Sequence, residues 1–158
     1  MAKKNLRAVP VTSTVLGCIE GGYSYLAELQ SECQEIVDNA SEGLSETQRI
    51  QTLSETADAL SSADSQPDVP EFLQDIEVTY TEDRRKSKSH SRATRCGEAC
   101  CYLSTAIEGI GEWIDEQPAG EELTDEISGQ VEEAEVLRDE LQELLDAAEG
   151  CEFPGMYG

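Results

Sequence analysis

Positive charge is scarce in this chain. Eleven Lys and Arg stand against 34 Asp and Glu, a formal net charge of −23. A surface of that sign repels nucleic acid, anionic membrane and its own copies, so polyanion binding across the whole surface is excluded. Histidine is nearly absent, with His90 the single one. A helical di-iron centre needs Glu-x-x-His on two helices and is therefore also excluded. Aromatic residues make up only 5%, so a core must be built from Leu, Ile, Val, Ala and Cys. That mixture suits packed helices better than sheets, which favour β-branched and aromatic side chains.

Other absences narrow the chemistry. No apolar run approaches the roughly 18–20 residues that span a bilayer. The opening stretch "MAKKNLRAVPVTSTVLGCIEGG" has a basic head, but Thr12, Ser13, Thr14 and Glu20 break its apolar part. That is not the pattern of a secretory leader. A cytoplasmic location, reduced cysteines and no membrane partner are expected. No G-x-S-x-G, H-E-x-x-H or phosphate-cradling glycine loop occurs, so neither an enzyme nor a cofactor is expected.

The few cations are clustered. Lys3, Lys4 and Arg7 lie in the first segment, and Arg84, Arg85, Lys86, Lys88, Arg92 and Arg95 lie in "RRKSKSHSRATRCGEACC". Only Arg49 and Arg138 serve the rest of the chain. The basic stretch lacks interleaved aromatics, so base stacking is not indicated. Its Ser-spaced cations suit a flexible contact with phosphates or with carboxylates. The highest local concentration of anion is the chain's own surface.

Apolar residues recur at helical spacing. Val15, Ile19, Gly22, Leu26, Leu29, Cys33, Ile36 and Ala40 define a first helix, with Gly43 expected as a left-handed cap. Ser45 and Gln48 have capping-box spacing for a second helix carrying Ile50, Leu53, Ala57 and Leu60. Pro67 and Pro70 forbid its continuation. In "EFLQDIEVTYTEDRRKSKSHS", Phe72, Leu73 and Ile76 suit a short helix, and "IEVTY" alternates in strand fashion but has no evident partner, so a short helix or extended connector is expected there. A third helix begins near Arg92 or Ala93 and carries Cys96, Cys100, Leu103, Ile110 and Ile114. The fourth carries Leu123, Ile127, Val131, Ala134, Leu137, Leu141, Leu144 and Ala148, and ends at Gly150.

A shift of 77 residues superposes the two halves without a gap. Tyr25 falls on Tyr102, Leu26 on Leu103, Gly43 on Gly120, Ile50 on Ile127 and Ala57 on Ala134. The expected fold is all-α, a four-helix bundle built from two duplicated αα-hairpins with a long basic crossover. Its parts are an extended basic arm at 1–12, hairpin one at 13–63, the crossover at 64–92, hairpin two at 93–150 and a tail at 151–158, one domain overall.

Three groups of side chains are candidates for function. The first is the basic patch Lys3, Lys4, Arg7, Arg84, Arg85, Lys86, Lys88, Arg92 and Arg95. The second is the acidic face of the fourth helix, with Glu132, Glu133, Asp139, Glu140 and Glu143. The third is a weak metal set of Cys96, Cys100, Cys18 and His90. One helical C-x3-C-C run does not converge three or four ligands, and buried structural thiols are the stronger expectation. These features point to a structural or assembly protein, of a kind seen in viral particles. Its basic loop would dock on acidic surfaces of its own copies or of a protein partner. The alternatives are an acidic nucleic-acid mimic that inhibits a DNA-binding enzyme, and a phosphate or nucleic-acid binder working through the loop.

Overall fold

The computed structural model describes residues 8–44, 46–83 and 91–154. Lys3, Lys4, Arg7, Ser45, Arg84, Arg85, Lys86, Lys88 and His90 lie outside the described residues. In chain order the elements are β1 (Ala8–Thr14), α1 (Val15–Asp38), α2 (Gln48–Ala59), the one-turn α3 (Glu71–Gln74), β2 (Glu77–Asp83), α4 (Arg92–Asp115) and α5 (Asp125–Glu149). Short 3-10 turns at Ser61–Asp64 and Gly120–Glu122 join them.

The protein is mostly helical, broadly as the all-α expectation has it, with one small two-stranded sheet added. β1 and β2 pair antiparallel, with Ala8 opposite Asp83 and Thr14 opposite Glu77. The stretch expected as a short helix or connector holds the one-turn helix α3 and then a strand, β2, whose partner is the segment taken as an extended arm. Alternation is clear on both strands. Val9, Val11, Val78, Tyr80 and Glu82 turn partly or fully inward, while Pro10, Thr12, Glu77, Thr79 and Thr81 face out. A two-stranded ribbon is marginal alone and needs a helix beneath it. Here α4 supplies that support, and the Val15 amide donates to the Ile76 carbonyl at 2.9 Å, fastening the ribbon to the start of α1. Pro10 is tolerated because a two-stranded sheet has only edge strands.

α1 and α4 make the largest helix interface, and α2 packs on α1 as α5 packs on α4. Contacts fix α1 and α4 as antiparallel. Arg95 reaches Glu32 at one end, Gly22 meets Leu103 midway, and Gly109 meets Val15 at the other end. A Cβ on Gly22 would lie 2.8 Å from Leu103 Cδ2, and one on Gly109 would lie 2.6 Å from Val78 Cγ1. Both glycines therefore serve close backbone approach. Gly111 has nothing within 4 Å of such an atom, so it does not share that role.

The main core joins α1, α4 and α5 through Ile19, Leu26, Leu29, Leu103, Ala106, Ile110, Leu141 and their neighbours. Cys33, Ile50, Leu53 and Ala57 form a smaller cluster under α2. Burial along α5 begins only at Ala134, so its expected apolar register holds for the second half alone. Leu123 is exposed, and Ile127 and Val131 are half-buried.

Every long helix starts at a hydroxyl cap: Thr14 for α1, Thr47 for α2, Ser91 for α4 and Thr124 for α5. Each side-chain oxygen accepts an amide otherwise left unpaired in the first turn. Two expected boundaries move. The cap of α2 is Thr47, two positions after Ser45, because Thr47 also donates to the Leu44 carbonyl at 2.8 Å and closes the preceding turn. α1 ends at Asp38 with Asn39 as its cap, and no left-handed residue occurs at Gly43. Among the described residues the one glycine with positive φ is Gly120, at 68°. The crossover carries regular structure of its own, α3 and β2.

Candidate functional site: a basic segment seated on acidic helix α1

The basic stretch leaves β2 at Asp83 and re-enters the fold at Ser91, the cap of α4. Its last two cations fall in the first turn of α4, facing the second half of α1. Glu28 and Glu32 stand one helical turn apart there, so both carboxylates share a face. Arg95 grips both: Nη2 donates to Glu32 Oε1 at 2.9 Å, and Nη1 donates to Glu32 Oε2 and, at 3.0 Å, to Glu28 Oε1. Arg92 Nε lies 3.4 Å from Glu32 Oε1. A planar guanidinium matches a carboxylate in this forked way, and lysine does not.

The hydrogen bond from Arg95 holds the Glu32 carboxyl below the ordinary glutamate range, against a smaller opposing effect of burial. The same bond raises the Arg95 guanidinium further above its already high value. The Arg95 side chain is 19% exposed and Glu32 is 30% exposed, so water screens the pair only in part.

Next to this contact lies a tyrosine cluster. Tyr25 and Tyr102 stack with centroids 5.9 Å apart and planes 7° apart. Tyr80 from β2 meets Tyr102 edge-on at 5.2 Å. Gly21 leaves room for the Tyr102 ring, whose carbons would sit 3.2 Å from a Cβ there. Burial pushes the Tyr102 hydroxyl upward, and it does the same to Tyr80. The three rings, with Glu82, Glu98 and Cys101, line a cavity of about 190 Å³.

On the opposite helix, Glu132, Glu133, Asp139, Glu140 and Glu143 are all exposed along α5. Glu132, Glu133 and Glu140 border a groove against the Pro67–Pro70 connector. Glu140 and Glu143 border a second depression beside Tyr23, whose hydroxyl burial pushes up to about 12.

Among the described residues the cysteines of the weak metal set divide between two places. Cys18 sits near Ser13 and Cys101, whereas Cys96 lies with Cys100, Cys33 and Cys151. His90 lies outside the described residues, and among the described residues no group of three His, Cys, Asp or Glu is placed to hold a metal ion. All six cysteines are free thiols. Cys96 donates to the Ala148 carbonyl at 3.5 Å and Cys151 to the Ala147 carbonyl at 3.2 Å, so both fasten the end of α5. A mutual hydrogen bond raises the Cys96 thiol and lowers that of Cys100.

Of the expected basic patch, the structure therefore places Arg92 and Arg95, and both sit on the chain's own acids. Glu28 and Glu32 were not singled out by sequence reasoning. Their spacing on one face was visible, but their partner lies 63–67 residues away along the chain. No helix among the described residues is long and apolar enough to cross a membrane. Comparison with family models, with curated proteins and with solved structures gives no match in any of the three.

Proposed function

We propose that this is a non-enzymatic assembly protein whose basic segments seat on acidic helices, its own and those of further copies. The carrying observation is the Arg95 fork on Glu28 and Glu32, with Arg92 beside it. It supports the reading because a cation of the basic stretch already uses this chain's carboxylates as its counter-charge. The remaining cations, Lys3, Lys4, Arg7, Arg84, Arg85, Lys86 and Lys88, extend the same chemistry to neighbouring copies. The acidic excess is then the complementary surface that those cations need.

The architecture in this proposal is a four-helix bundle of two related hairpins. Element boundaries support it. α1 and α4 are both 24 residues long, and caps Thr14 and Thr47 recur at the 77-residue shift as Ser91 and Thr124. Equivalent residues Leu26 and Leu103 are both fully buried, as are Ala57 and Ala134. Equivalent Tyr25 and Tyr102 stack on each other, as residues beside a pseudo-twofold axis should. Two acidic hairpins joined this way present carboxylate-rich helices on several sides of one small particle.

The test replaces Arg84, Arg85, Lys86 and Lys88 by Ala together with Lys3, Lys4 and Arg7, leaving Arg92 and Arg95 intact. Light scattering on a sizing column is expected to show smaller particles for the variant than for the wild type at low salt. Unchanged mass, with the wild type associated, contradicts the reading. A second reading is an acidic decoy for a DNA-binding enzyme, favoured by the exposed run of carboxylates on α5, where Arg138 is the one cation. Competition with DNA that is lost when those acids become Gln would favour it.

A further inference from the structure

The groove between α5 and the Pro67–Pro70 connector has a chemistry that selects its occupant. Its volume is about 820 Å³. Val69 and Leu137 form a floor continuous with the core, and Val136 stands 60% exposed at its edge. Among the described residues Val136 is the most exposed large hydrophobic side chain. Four carboxylates rim it: Asp68 from the connector, and Glu132, Glu133 and Glu140 from α5. Among the described residues no ion pair joins any of them to a cation, in contrast to Glu28 and Glu32. An apolar floor inside a ring of unpaired carboxylates fits a short segment with one apolar anchor between cations.

The chain itself carries such a segment, Lys3-Lys4-Asn5-Leu6-Arg7, three cations around one leucine. Residue 8 begins a strand whose outer end, Ala8 opposite Asp83, leads into the ribbon of Thr81 and Glu82 that borders the tyrosine cavity. The groove belongs to α5 and the connector instead. We infer that this groove receives the Lys3–Arg7 segment of a second copy, with Leu6 against Val136 and Val69 and the three cations among Asp68, Glu132, Glu133 and Glu140. The inference rests on the assembly reading and adds to it the acceptor surface.

Two features make self-docking more fitting than docking of an unrelated anion binder. The cations available to the chain are concentrated in segments rather than spread over helices, so each segment is a compact counter-charge. The first half of α5 has no buried residue, which leaves its face beside the groove open to a second molecule. Electrostatic attraction brings the segment in, and the apolar anchor fixes where it sits.

The test is absolute mass by light scattering on the full chain across a protein concentration series at low salt. Val136→Lys changes an exposed position, so the fold is retained, which circular dichroism checks. The groove predicts that Val136→Lys and Leu6→Glu each weaken association by at least about tenfold. It further predicts that Glu132→Lys/Glu133→Lys is restored when mixed with Lys3→Glu/Lys4→Glu. If Val136→Lys leaves the mass unchanged while alanine substitution of the basic segments lowers it, the groove is wrong and the assembly reading stands. A wild type that is monomeric at every salt and concentration overturns both, and a basic segment of another protein then becomes the occupant to seek.

Discussion

Arg95 and Glu32 give the account its smallest testable unit. The forked bond holds the Glu32 carboxyl below its ordinary range, so the folded protein prefers the charged form more than the unfolded chain does. A depressed carboxylate contributes stability that is complete above the unfolded glutamate value and is lost as pH falls through the folded one. Glu32→Gln is therefore expected to cost roughly 1 kcal/mol at neutral pH and to make no difference in strong acid, where wild-type Glu32 is itself neutral. Urea titrations of both proteins across the acidic range check this, and a pH-independent gap would contradict it. At this scale the sequence was legible for composition but not for partnership. It showed a basic cluster and acidic helices, yet only the fold brings Arg95 to Glu28 and Glu32. The thiols behaved likewise: Cys18 and Cys96 were grouped in one weak metal set, but the antiparallel packing of α1 on α4 gives them different neighbours.

Among the elements, the helices were readable because their apolar spacing is a local signal, whereas the cap of α2 was placed at Ser45 instead of Thr47. The ribbon was not readable, because its two strands lie at opposite ends of the first half of the chain and neither predicts the other. Gly109 is the element-level consequence. Its missing side chain lets β2 and the start of α1 settle on α4. Gly109→Ala would gain helix propensity but force Val78 and Val15 aside, and overpacking of this kind costs ~1–3 kcal/mol. Thermal unfolding should show a lower midpoint for Gly109→Ala. Gly111→Ala, at a position with open space, should show none. If both substitutions stabilise the protein, the close approach of ribbon and helix is not as described. α5 makes a related point. The expected apolar register runs through Leu123, Ile127 and Val131, but full burial starts at Ala134, because the described residues cover the first part of α5 only in part. A periodic stripe therefore marks what can be buried, and neighbouring elements decide what is.

For the whole molecule, the question is where a strongly acidic chain places its few cations. Net charge of this size favours separation of copies, so any self-association must be carried by local attraction that salt screens. The described part of the basic stretch sits on the chain's own carboxylates. The proposed extension is that the other basic segments do the same between copies. The most direct test is the absolute mass of the unmodified protein by light scattering on a sizing column, at low and at high salt. The account predicts an oligomer at low salt that dissociates as salt is raised. A monomer under both conditions would contradict it.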